Sequence, residues 1–115
     1  MQTEPTIGDL LSLKQVSWAW YGGAWQDVLD HGNASPVPSF QYHHQPLNYY
    51  ASFAPGPAAR KEHLRDGGLG GAALLKDIDA GTLPQVTFYK PQGNLNEHSG
   101  YADIQSGDAH IADLV

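Results

Sequence analysis

The spacing of apolar residues changes once within the first twenty positions. Ile7, Leu10 and Leu11 share a face at helical spacing, and Thr6 followed three residues later by Asp9 has the form of a capping box. From Val16 the period falls to two, because Val16, Trp18 and Trp20 alternate with Ser17 and Ala19. A helix, a strand and a loop are therefore predicted, with Gly22-Gly23 closing the strand. Residues 32–46 hold three prolines and little periodicity and read as loop. Residues 47–53 predict a short helix stopped by Ala54-Pro55-Gly56-Pro57, and residues 58–66 a second helix ended by Gly67-Gly68. Residues 72–80 are more strongly periodic: Leu74, Leu75 and Ile78 share a face, and Gly81 stands where a helix-ending glycine belongs. Residues 85–89 predict a second strand, closed by Pro91. A long loop over 92–105 follows, then a last helix starting near Ser106 or Asp108 with Ile111, Leu114 and Val115 on its apolar side. That apolar pattern is still running at Val115 without a cap, which reads as a segment of something longer.

Two helix-to-strand units predict an α/β fold with a few parallel strands, helices and long loops. In such folds ligands collect beyond the carboxyl ends of the strands. The segments there are Tyr21-Gly22-Gly23-Ala24-Trp25 and residues 91–98, and the second gathers Asn94, Asn96, Glu97 and His98. A chain of 115 residues has room for one domain. With 41% hydrophobic and 16% charged residues it is globular rather than disordered, and thirteen glycines and eight prolines argue against a bundle of long helices.

A formal charge of -6 argues against a broad basic surface for nucleic acid or an anionic membrane, but not against a few local donors for a small anion. The absence of cysteine excludes disulfides and thiolate zinc sites. No apolar run reaches the roughly 20 residues of a membrane span. The opening MQTEPTIGDLL lacks the features of a secretory leader, and the compartment stays unknown.

The chemistry concentrates in two places. Within FQYHHQP, His43 and His44 are adjacent, so their rings diverge and are expected to divide labour, one facing a site and the other packing or orienting. The pair lacks the spacing of a metal motif. Asn94-Leu95-Asn96-Glu97-His98 offers amides, a carboxylate and an imidazole, a set able to bind and protonate an oxyanion. Asn96 and Glu97 are the supporting groups in that reading. The alternative is a stand-alone ligand-binding or interaction module in which these histidines are structural and the aromatic residues hold a sugar or peptide. A histidine-only zinc or nickel site is a third reading, with no metal expected at stoichiometric level. Trp18, Trp20 and Trp25 are expected in the core. Arg60, Lys61, Arg65, His63 and His31 are expected on solvated faces, and His110 as a surface or packing residue. No nucleophile elbow, phosphate-binding glycine loop or paired acidic metal motif is present.

Taken together, TIGDLLSLKQVSWAWYGGAW, FQYHHQPLNYYASFAPG, LKDIDAGTLPQVTFYKP and NLNEHSGYADIQSGDAHIADLV resemble the bacterial phosphoesterase family of acid phosphatases and phospholipases C, in the family's order and over nearly the whole chain. The resemblance implies an alkaline-phosphatase-like α/β/α sandwich of which residues 1–115 are a single partial domain, interior to a larger enzyme. It implies phosphoester hydrolysis by that parent, on a phosphomonoester or a phospholipid, with a divalent metal ion and a serine or threonine nucleophile supplied outside this segment. It also implies an exported, periplasmic or secreted parent. No catalytic nucleophile and no metal ligand carries over to these residues, and the segment alone is expected to be inactive. What carries over is phosphate contact, to His44 first, to its neighbour His43, and to His98. An excised segment is further expected to expose sheet edges and apolar faces, and to form homo-oligomers if it folds alone.

Overall fold

The computed structural model describes residues 1–32 and 42–115. The expected capping box is formed: Asp9 N–H donates to the Thr6 hydroxyl at 3.2 Å, and Thr6 N–H donates to the Asp9 carboxylate at 2.6 Å. It opens helix α1 (Ile7–Leu13), and the Thr6 hydrogen bonds hold the Asp9 carboxyl below its ordinary range.

Three strands follow, β1 (Trp18–Gly23), β2 (Leu64–Gly68) and β3 (Val86–Lys90), in the order β2-β1-β3 and all parallel. The central strand β1 is covered on both faces, as parallel sheets require. On one face Trp18 packs with Leu47, Phe53 and Leu64, flanked by Leu11 of α1 and by Ala59 of helix α3 (Ala58–His63). On the other face Ala19 and Tyr21 pack on Leu74 of helix α4 (Ala72–Asp79), with Tyr89 and Leu114 of helix α5 (Ile104–Leu114) beside them. The period-two alternation of β1 thus sends tryptophan to one layer and alanine and tyrosine to the other. The protein is an α/β chain with a small parallel sheet, as its spacing predicts.

Several boundaries differ from the sequence expectation, each for a tertiary reason. β1 does not stop before Gly22-Gly23 but runs through both, because it has a partner on each side there: Gly22 pairs with Asp66 and with Lys90. A helix α2 (Trp25–His31) follows where a loop was expected. Its start carries no local side-chain cap; Asp66 of β2 accepts from Gln26 N–H at 3.2 Å instead. The helix expected over 58–66 ends at His63, and Leu64 turns inward to begin β2. The short helix expected over 47–53 is two 3-10 turns, Pro46–Tyr49 and Ala51–Phe53. The last helix begins at Ile104, earlier than expected, because Asp103 caps it through Ser106 N–H at 2.7 Å. Of the loop expected over 32–46, residues 33–41 lie outside the described residues.

Candidate functional site

The carboxyl ends of β1 and β3 lie side by side, with Gly22 paired to Lys90. Beyond Lys90 the chain crosses directly over the end of β1. A Cβ on Gly23 would overlap the backbone nitrogen of Gln92, so only glycine permits this crossing. Buried Gln92 then fixes the loop: its Oε1 accepts from Gly70 N–H at 2.8 Å and its Nε2 donates to Asn94 Oδ1 at 2.8 Å. A 3-10 turn, Gly93–Leu95, delivers the polar cluster. Asn96 Oδ1 accepts from His98 N–H at 3.0 Å, and Glu97 takes a left-handed conformation (φ 58). The Glu97 side chain lies where a Cβ on Gly107 of α5 would stand. Asn96 and Glu97 therefore shape the backbone that carries His98.

The paired histidines arrive from the other side in a 3-10 turn, Tyr42–His44. Trp20 Nε1 donates to the His44 carbonyl at 3.0 Å and ties this turn to β1. The two rings lie 5.0 Å apart at 88°, so they diverge as adjacency requires. His43 is exposed and the His44 side chain is buried. Next in sequence, Gln45 is 0% exposed and its carboxamide lies against Gly22. Neither its oxygen nor its nitrogen has a hydrogen-bond partner among the described residues.

Tyr101 joins the two loops. Its hydroxyl stands 3.3 Å from His44 Nε2, and its ring stacks on His98 with centroids 4.4 Å apart and planes 11° from parallel. His98 is exposed, and its Nδ1–H donates to the Ser99 carbonyl at 2.7 Å. A carbonyl only accepts, so the Nδ1 proton is fixed, and Nε2 is the position at which this ring gains or gives a proton. Burial lowers the His44 pKa to about 4, and the charges of Lys90, His43 and His98 push the same way. His44 is therefore neutral at pH 7, inside a cluster of basic groups. An anion entering the cluster would oppose those charges and favour its protonation. His44 and His98 are thus brought together at the carboxyl ends of β1 and β3, with His43 beside them.

The other candidate residues lie elsewhere. Trp18 and Trp25 are core residues, each 3% exposed, and half-buried Trp20 stacks on Phe88 at 5.6 Å. His31 is on the surface beside Asp27. His63 is not on a solvated face: it stacks flat on Trp18 at 4.0 Å, and its Nδ1 contacts the Trp18 carbonyl at 2.8 Å. Arg60 and Arg65 also differ from the expectation. Arg60 donates to the Phe53 carbonyl at 2.7 Å and lies over Trp25, while Arg65 donates to the Tyr21 hydroxyl at 3.0 Å. With exposed Lys61 they line a cleft of about 460 Å³. His110 packs inside α5, its Nε2 2.9 Å from the Tyr89 hydroxyl, and burial and Asp66 raise the Tyr89 pKa to about 12.

Among the described residues no group of three or more histidine, aspartate or glutamate side chains is disposed to hold a metal ion. No helix among them is long and apolar enough to cross a membrane. Sequence reasoning passed over Lys90, Gln45 and Tyr101. For Tyr101 a signal existed: an aromatic ring three residues after His98, across a glycine turn, is within stacking reach. No curated protein and no solved structure shows significant similarity to the chain. The profile of the Phosphoesterase family matches it over residues 1–115, its whole length, and the chain belongs to that family.

Proposed function

We propose that residues 1–115 are a partial domain of an alkaline-phosphatase-like phosphoric-ester hydrolase of the bacterial acid phosphatase and phospholipase C type, and that they supply its phosphate-contacting histidines. The observation that carries this reading is the meeting of His44 and His98, from loops more than fifty residues apart in sequence, on one tyrosine at the carboxyl ends of two parallel strands. In that reading His98 donates from Nε2 to a phosphoryl oxygen, and the His43-His44 pair completes the grip, one ring on phosphate and the other supporting it. Asn96 and Glu97 hold the His98 backbone in place. The attacking group is supplied from outside these residues. The substrate class is a phosphomonoester or a phospholipid.

A divalent ion belongs to the parent enzyme in this reading. Among the described residues no group of three or more histidine, aspartate or glutamate side chains is disposed to hold it, and in this reading its ligands come from the rest of the parent. The exposed apolar side chains Ile7, Leu10, Leu13, Ile104 and Ile111 fit surfaces covered in the parent, and self-association of the isolated segment is the expected consequence.

The test is kinetic and uses the full-length hydrolase with a chromogenic phosphoester. Donors aimed at developing charge contribute about 10²-fold or more each, so His98→Ala is expected to lower kcat/KM by at least that factor. An unchanged kcat/KM removes His98 from the reaction.

A further inference from the structure

Tyr101 touches both histidines, by two different kinds of contact. Its hydroxyl meets Nε2 of His44, and its ring face covers His98. These contacts act on different properties of the two rings. A tyrosine hydroxyl both donates and accepts, so it can bond Nε2 of His44 in either tautomer. The contact therefore anchors the Nε2 edge of the His44 ring. The stack sets the plane of His98 together with the hydrogen bond from Nδ1 to the Ser99 carbonyl.

We infer that Tyr101 is a positioning residue for both histidines: its hydroxyl anchors the Nε2 edge of His44 and its ring fixes the orientation of His98. The inference deepens the phosphate-binding reading of the same site, because it assigns how the two rings are held ready. The charged groups acting on His44 come from three elements: Lys90 at the end of β3, His43 in its own turn, and His98 in the loop after β3. Tyr101 contacts both the last of these and His44.

The experiment is ¹⁵N–¹H NMR of the histidine rings in the 115-residue chain, for the wild type, Tyr101→Phe and Tyr101→Leu. In the wild type, the His44 Nε2 signal is expected at the shift of a hydrogen-bonded nitrogen. Tyr101→Phe keeps the stack and removes the hydroxyl, so the His44 Nε2 signal is expected to move while His98 keeps its ring-current shift. Tyr101→Leu removes both contacts, and His98 is expected to lose that shift as well. His44 and His98 signals that stay at wild-type positions in both variants reject the positioning role. Inorganic phosphate added to the wild type separates the two readings. If phosphate moves neither ring while the variant results hold, the phosphate reading fails and Tyr101 keeps its role.

Discussion

Replacing His44 with glutamine removes a titratable ring from a buried position and leaves a side chain able to form hydrogen bonds. In the folded chain the His44 pKa falls from 6.5 to about 4, chiefly because burial disfavours the charged ring. Between those values the unfolded chain binds a proton that the folded chain does not, so stability falls as the pH falls. The contribution is complete above pH 6.5 and is lost by about pH 4. The full displacement sets a ceiling of about 3 kcal/mol. Screening by solvent at the edge of the turn, next to exposed His43, reduces the expected loss to about 1–2 kcal/mol. Urea denaturation at pH 7.5 and at pH 4 measures it. The wild type is expected to lose that amount beyond whatever His44→Gln loses over the same interval. Parallel losses in the two proteins would refute a buried, neutral His44.

Two further substitutions probe the frame around the histidines. Gly107→Ala at the end of the first turn of α5 would ordinarily gain up to about 1 kcal/mol from helix propensity, but its Cβ would meet the Glu97 side chain; denaturation is expected to show a loss of about 1 kcal/mol, and a full propensity gain would contradict the packing. Gln45→Leu replaces a fully buried carboxamide that has no partner among the described residues by an apolar group of similar size. It is expected to stabilise the chain by about 1–2 kcal/mol, and a lower melting temperature would show that the amide is satisfied in solution.

Much of the fold is legible where local chemistry and tertiary structure agree. The TIGD capping box, the alternating tryptophans and the glycine after α4 are short-range signals, and each lands where the structure puts it. The elements that escape are those whose support is long-range. β2 reads Leu-Arg-Asp-Gly-Gly, poor strand material by itself, and is held by its parallel pairing with β1. α2 escapes because its capping carboxylate, Asp66, lies forty residues away. In the site, the FQYHHQP and NEH motifs single out the histidines, and their divergent rings follow from adjacency alone. Burial of His44 but not His43 depends on Trp20 gripping the His44 carbonyl, which no local pattern encodes. His63 and Arg60 depart from the solvated faces expected of them for the same reason: their partners Trp18, Phe53 and Trp25 come from other elements.

If two distant loops form one phosphate-gripping cluster, titrating the 115-residue chain with inorganic phosphate while following the histidine rings by NMR will reveal it. The His44 and His98 signals are expected to move together on one saturation curve, with His44 protonated at a higher pH when phosphate is bound. Rings that stay still at saturating phosphate, or a response confined to the cleft of Arg60, Lys61 and Arg65, would contradict it.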